Sequence, residues 1–387
     1  MPRQAYPSFM NQAKKRIAIM ITLAEQGGAQ HFVTLFAEKL IASGHEVTVY
    51  AGSGTWLADA LERRHIPFKR IPHLSRDIRI FDDIRVILWL RKELKQQRVD
   101  ALHLNSTKMS IVGSIAGRLA KTPRIVYRIG GWVFLERLSP LKKNIYKWLE
   151  IWTAKNKDVI VCVHPGDVEV AKRVGIKPKK EVIAIPNGVQ LAKFDQNLKP
   201  WQEARTLLHL PNNAPIFGTV ANFFPAKQLD RYMNACRRVA NELPGAKFVL
   251  LGDGREYANI EERRKSLGLE DAVILAGECS NASELLKAFD VFVLPSAKEG
   301  MSWALLEAMA AALPCVATNV GAASWMFEDD KGGWLASPQD MNEVADAMLA
   351  AYASLPENEK GKRARVIIEM RFPLSKTLEL SERSLVG

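Results

Sequence analysis

The sequence is poor in cysteine, in aromatic residues and in long apolar runs. Its four cysteines (Cys162, Cys236, Cys279, Cys315) stand far apart without any CxxC, which fits buried thiols in a reducing, intracellular compartment better than disulfides or zinc. No uninterrupted apolar stretch approaches the roughly 18 residues of a spanning helix, and the amino-terminal "MPRQAYPSFMNQAKKR" lacks the apolar core of a signal peptide. Neither a GxGxxG fingerprint nor a P-loop is present, so a dinucleotide dehydrogenase or a P-loop ATPase has little support. A DxD-like pair that would let a metal bridge a diphosphate is also missing, because "FDDI" (81–84) lies in a helical pattern. Internal repeats and low-complexity segments are absent.

What is present is a chain of 387 residues at 48% hydrophobic, long enough for two domains with cores of their own. Charge divides it unevenly: residues 1–200 hold 34 basic against 17 acidic side chains, and residues 201–387 hold 20 against 25. The basic half is suited to face a polyanion such as phospholipid head groups or a phosphorylated acceptor. Short β-branched runs alternate with helical patterns. Strands are predicted at 16–23, 46–52, 101–106, 124–130, 158–163 and 182–187, and a second series at 215–222, 247–254, 272–278, 291–296 and 314–320. Near-continuous apolar strands between helices imply parallel sheets covered on both faces. The expected architecture is therefore α/β, with two doubly wound Rossmann-like domains facing each other across a cleft. Their expected extents are 1–190 and 191–370, with a polar hinge around 188–214 and a final helix at 371–387 crossing back to the first domain.

In such sheets ligands bind beyond the carboxyl ends of the strands. "QGGAQ" (26–30) follows the first strand, and "GDG" (252–254) ends another; both suit anion binding, and both are common in plain turns. The segment "KEGMSWALLEAMA" (298–310) is more specific. On one helix its two glutamates, eight positions apart, would lie about 80° from each other. Ser302 is a favoured N-cap, so the helix is predicted to start near 303, with Glu299 in the loop before it and Glu307 one turn inside. Backbone donors at 300–303 beside two carboxylates suit a diphosphate flanked by polyols.

With "LPCVATNVGA" (313–322), "LGDG" (251–254), "IPNGV" (185–189), "AFDVFVLPS" (288–296) and "GGA" (27–29), this segment resembles the retaining, nucleotide-sugar-dependent glycosyltransferases of family 4, which have the GT-B fold. The resemblance is specific over about 215–340. It implies that Glu307 binds the ribose and that Glu299 with Gly300, Met301 and Ser302 holds the donor hexose. Lys227, in a loop with Asn222, would neutralise the diphosphate, while Gly27, Gly28 and Gly254 approach the phosphates. It also implies a UDP-sugar as the preferred co-substrate, no cofactor, and no metal. Two departures stand out: "ANFFPAK" lacks the arginine usually paired with the lysine, and "RIGGWVF" has Gly130 where the family commonly has a histidine. Arg128 and His103, at nearby strand ends, are the candidates to supply compensating positive charge.

Residues 132–157 interleave Trp132, Phe134, Trp148 and Trp152 with Arg137, Lys142, Lys143, Lys147 and Lys155. Ile145, Trp148, Leu149 and Trp152 share one helical stripe, which is predicted to pack on the sheet. Together with the basic segment 76–98, this region is expected to dock on an anionic membrane at the cytoplasmic face and to present a lipid-linked or lipopolysaccharide-type acceptor. Three classes remain open from the sequence. A glycosyltransferase is favoured over a sugar-nucleotide epimerase and over a degenerate nucleotide- or membrane-binding scaffold. Nucleic acid is the least supported partner, since no stacking platform or groove-reading module is evident.

Overall fold

The computed structural model describes residues 13–136, 138–279 and 281–387. Two parallel sheets organise it. The first contains β1 (Arg16–Met20), β2 (Glu46–Ala51), β3 (Phe68–Arg70), β4 (Ala101–Leu104), β5 (Arg124–Ile129), β6 (Val159–Cys162) and β7 (Glu181–Ala184), in the order β3-β2-β1-β4-β5-β6-β7. The second contains β8 (Ile216–Val220), β9 (Lys247–Leu251), β10 (Val273–Gly277), β11 (Val291–Leu294), β12 (Cys315–Thr318) and β13 (Trp334–Ala336), in the order β10-β9-β8-β11-β12-β13. The chain order reverses between β1 and β4 in the first sheet and between β8 and β11 in the second. These are the switch points at which a doubly wound sheet opens a crevice.

The strands explain the architecture. Ala18, Ile19 and Met20 of β1 and all of "VFVL" in β11 are buried on both faces, as central parallel strands must be. The sequence showed no sign of β3 and β13, each only three residues long; so short an edge strand leaves too little alternation to read.

The polar stretch expected as a hinge is more ordered than that. It holds helices Leu191–Asn197 and Trp201–Leu207, and Leu191, Phe194, Leu198 and Leu208 pack on the core of the second domain. Two segments cross between the domains here. The Val189 amide donates to Phe372 O at 2.9 Å and the Leu374 amide to Val189 O at 3.1 Å, so the two passages bridge like a pair of strands. Helix Leu374–Val386 then lies on β4, β5 and helix Gly28–Ala42 of the first domain. Arg124 fixes its last turn by donating to Ser384 O at 2.6 and 3.1 Å.

One helix faces the other way from expectation. Helix Pro140–Ala154 turns Glu150, Thr153 and Ala154 inward and leaves its aromatic stripe outside, with Trp148 59% and Trp152 43% exposed and their rings stacked at 5.7 Å. The reason is a buried polar cluster. Glu150 accepts from Lys157 Nζ at 3.0 Å and from Ser110 Oγ at 2.8 Å, and turning the helix would strand these charges in the interior. Trp132 and Phe134, expected at an interface, are buried instead, with Trp132 Nε1 donating to Asp167 O at 2.9 Å. Helix Ile80–Gln96 buries Val86, Leu90 and Leu94 but exposes Ile80, Phe81, Ile84 and Leu88. Arg137 and the first 12 residues of the amino-terminal segment lie outside the described residues. Among the described residues, no helix is long and apolar enough to cross a membrane.

Candidate active site between the two sheets

The loops that follow β1 and β5 meet those that follow β8 and β11, through Gln26 with Asn222, Gly130 with Gly300, and Glu136 with Lys298. After β11, Ser302 caps helix Trp303–Ala310 by accepting the Leu305 amide at 3.3 Å. The first amides of that helix have no partner within it. Glu299 lies in the loop before the cap. Its Oε1 accepts from Lys227 Nζ at 2.5 Å and from Ser296 Oγ at 2.7 Å, and both side chains of the ion pair are largely shielded from solvent. The loop after β8 and the loop after β11 are thus joined by one charged pair at the head of a helix, where positive backbone dipole accumulates.

The Glu299 loop is held from both sides. Gly321, at φ +55°, packs so closely that a Cβ there would lie 2.5 Å from Glu299 O, and the Ala322 amide donates to Gly300 O at 2.8 Å. Across the cleft, a Cβ on Gly300 would lie 2.0 Å from Gly130 O, so only glycine lets the two backbones touch. A side chain at position 130 itself would meet nothing within 4 Å.

Glu307 sits one turn along the same helix and lines a small cavity of about 140 Å³ with His31, Gly188, Lys193, Ser283 and Trp303. Its carboxyl is partly buried, and desolvation raises its pKa to about 7. Glu299 and Glu307 therefore face different parts of one cleft. Trp303 stands between them. Its ring meets His31 edge-on at 5.2 Å and closes on Gly28, where a Cβ would lie 2.3 Å from Cδ1. Gly27 lies beside Gln30 and Asn222, and Asn222 Nδ2 donates to Gln26 O at 3.1 Å, a further link across the cleft.

The remaining candidates do other work. Gly254 packs on Phe223 and donates its amide to Asp253 Oδ1 at 2.6 Å, so it shapes the loop that leads to Lys227 rather than offering a free N–H. Met301 is buried: its carbonyl accepts from Asn187 Nδ2 at 2.8 Å and its sulfur from the Asn187 amide at 3.3 Å. Arg128 donates to Asn187 Oδ1 at 2.8 Å and lies 3.9 Å from the centroid of Phe32. Burial lowers its pKa to about 9. It supports the loop before helix Trp303–Ala310 through Asn187, which bonds to Met301. His103 is fully buried beside Phe32 and Phe36. Desolvation first, then the charge of Arg128, lowers its pKa to about 3. A neutral core imidazole cannot supply the compensating charge expected of it.

Several contributors went unnoticed in the sequence: Asn187, Ser296, Lys298 and Trp303. Asn187 belongs to "IPNGV" and Lys298 immediately precedes Glu299, so their neighbourhood was visible while their contacts were not. Lys298 Nζ reaches Glu136 Oε1 at 3.1 Å in the opposite domain. Arg76 and Arg255, one from each domain, lie 5.9 and 5.5 Å from the Phe224 ring. Two further cations thus stand by the loop that lacks the usual arginine.

Comparison with known proteins agrees with this geometry. The family model for glycosyltransferase family 4 matches residues 26–193, and that for glycosyl transferases group 1 matches residues 214–354. The UDP-Gal:alpha-D-GlcNAc-diphosphoundecaprenol alpha-1,3-galactosyltransferase of Escherichia coli is 31% identical over 313 residues, covering 80% of this chain and 81% of that protein. Among solved structures, the Anabaena protein HepE in complex with UDP and glucose superposes with a TM-score of 0.81 at 19% identity, over 96% of this chain and 99% of that one. WaaG, a glycosyltransferase involved in lipopolysaccharide biosynthesis, gives 0.77 at 17% identity, over 96% and 100%. With family models matching both walls of its cleft and the GT-B arrangement of its two sheets, the chain belongs to the family 4, group 1 glycosyltransferases.

Proposed function

We propose that the enzyme transfers a hexose from a nucleotide sugar, a UDP-sugar before others, to a lipid-linked glycan, with retention of configuration and without a metal ion. The observation that carries this is the Lys227–Glu299 pair at the head of helix Trp303–Ala310, with Glu307 one turn on. The pair offers a cation and a carboxylate within hydrogen-bond distance of each other. Lys227 holds the leaving diphosphate and stabilises the charge that develops as the anomeric C–O bond breaks. Glu299 accepts from the hexose hydroxyls, and Glu307 accepts from the ribose in its ionised form. The acceptor oxygen attacks on the face that the diphosphate leaves, and its proton passes to a departing phosphate oxygen. No side-chain base is needed, which suits a site with Gly130 where the family commonly has histidine.

The donor and acceptor classes draw on relatives. The E. coli protein is named for UDP-Gal and a diphosphoundecaprenol-linked acceptor, and the Anabaena structure holds UDP and glucose. Trp148 and Trp152 are exposed on the helix that carries Lys142, Lys143 and Lys147, and Ile80 and Phe81 are exposed on helix Ile80–Gln96; exposed apolar surface with basic residues favours peripheral docking on an anionic membrane.

The test is release of nucleoside diphosphate from UDP-, GDP- and ADP-sugars, with and without a lipid-linked acceptor. UDP-sugars should give acceptor-dependent release, and Lys227→Ala should reduce it about 10²- to 10³-fold, the usual effect of removing one charge-stabilising group. Donor binding without turnover for every sugar would favour the scaffold reading instead. Full turnover in Glu307→Ala would overturn the site assignment.

A further inference from the structure

A second and larger cavity, of about 500 Å³, opens from the cleft into the first domain. Its size falls within the roughly 300–1,000 Å³ of sites for small organic ligands. Its two ends differ. The inner end, at the carboxyl ends of β1 and β4, is polar: Thr22 and Ser106 hydrogen bond at 2.6 Å beside Asn105 and Thr107, next to Gly130 and Gly131. The outer end runs between helices Ile80–Gln96, Thr107–Ala120 and Pro140–Ala154 and is walled by Ile84, Ile87, Ile111, Ile115, Leu149 and Trp152. The lining also carries three cations, Arg76, Lys108 and Lys298, and two carboxylates, Asp83 and Glu136. Lys108 donates to Asp83 and to Asp77 O at 2.7 Å each, and Lys298 pairs with Glu136. Arg76 is exposed and makes no ion pair among the described residues.

The order is polar hydroxyls, then positive charge, then an apolar channel that ends in exposed Ile80, Ile84 and Trp152. That is the order of an amphiphile with a sugar, an anionic linker and a hydrocarbon chain. We infer that this cavity binds the acceptor lipid itself: the sugar at Thr22 and Ser106, the phosphate linker at Arg76, Lys108 and Lys298, and the first units of the hydrocarbon chain between the three helices. The inference rests on the lipid-linked acceptor proposed above and adds that the chain enters the protein instead of remaining wholly in the bilayer. Charge complementarity favours this occupant: Asp83 and Glu136 already partner Lys108 and Lys298, so a neutral lipid would leave Arg76 without a counter-ion, and a free sugar phosphate would leave the apolar end empty. Lys298 belongs to the second domain, so the linker is held only when the domains meet.

The test uses the full chain and soluble probes below their micelle concentration: farnesyl diphosphate, inorganic pyrophosphate and farnesol, with binding read from tryptophan fluorescence and calorimetry. Farnesyl diphosphate should bind at least tenfold tighter than pyrophosphate, and farnesol weaker than both. Ile115→Trp, which fills the channel, should abolish that preference while leaving pyrophosphate affinity within about twofold. Ile84→Asp, at the exposed rim where folding is not at stake, should weaken farnesyl diphosphate several-fold. Equal affinity for the two diphosphates in the unmodified protein, or undiminished farnesyl diphosphate binding in both variants, would overturn the inference. UDP-sugar turnover measured in the same variants separates this failure from that of the donor site.

Discussion

The two sheets share a topology but present opposite kinds of wall to the cleft. On the second domain, polar groups converge: Lys227 and Ser296 both donate to Glu299, which lies just before the first turn of helix Trp303–Ala310. On the first domain, the corresponding strand ends lead into hydroxyls, the cations Arg76 and Lys108, and an apolar channel. The contrast suits the donor and acceptor proposed above. A nucleotide sugar is small, charged and rich in hydroxyls, so its site is built from directional bonds at fixed positions. A lipid-borne acceptor is mostly hydrocarbon, so its site is built from volume and exposed apolar surface.

The contact between Gly300 and Gly130 is where the comparison breaks most sharply. Gly300→Ala would place a methyl group 2.0 Å from Gly130 O, which keeps the walls apart while leaving each domain's core intact. Turnover should fall by at least a thousandfold with little change in melting temperature, and small-angle scattering should report a larger radius. Normal turnover would mean that the walls need not touch.

A smaller effect isolates the first domain. Reversing Lys142, Lys143 and Lys147 to Glu removes cations that each contribute about 1 kcal/mol near an anionic bilayer. Flotation with anionic liposomes at low salt should drop roughly a hundredfold, while hydrolysis of the donor in solution is unchanged. If vesicle binding survives, the exposed tryptophan face does not meet a charged membrane.

The mildest change belongs to the second domain. The Glu307 carboxyl is raised from 4.5 to about 7 by desolvation, so the folded protein holds a proton there that the unfolded chain has released. Stability is therefore undiminished below pH 4.5, falls as pH rises towards 7, and carries the full penalty above it, on the order of 3 kcal/mol. Glu307→Gln should raise the melting temperature by a few degrees at pH 8 and by almost nothing at pH 4.5. It should also weaken donor binding at pH 8, because the carboxylate is the better acceptor of ribose hydroxyls. Parallel melting curves for the two proteins between pH 4.5 and 8 would refute the assignment.

These differences also mark what the sequence could tell. Ser302 as a cap, Glu299 in a loop and Glu307 inside the helix follow from local rules of helix initiation, and the structure places them so. Helix Pro140–Ala154 is the opposite case. Its aromatic stripe and its Glu150–Thr153–Ala154 face are both consistent helical faces, and hydrophobicity favours burying the first. What decides is the pairing of Glu150 with Lys157 and Ser110, which depends on tertiary neighbours. His103 failed for a related reason. Its position at a strand end suggested the cleft, but strand residues alternate between faces, and this one points under Phe36. The Arg128–Asn187–Met301 link joins residues more than a hundred positions apart, so only the folded chain could reveal it.

The double passage at Val189 and Pro373 has a mechanical consequence. A domain tethered by one strand can swivel in any direction, whereas one tethered by two adjacent strands keeps essentially a single rotation, about the line through both. Opening and closing of the cleft is therefore a one-parameter motion. Because helix Leu374–Val386 rides on the first domain, the last residue of the chain moves with that domain's wall of the cleft. A pair of probes at Gly387 and on the second domain would read that angle directly during each turnover.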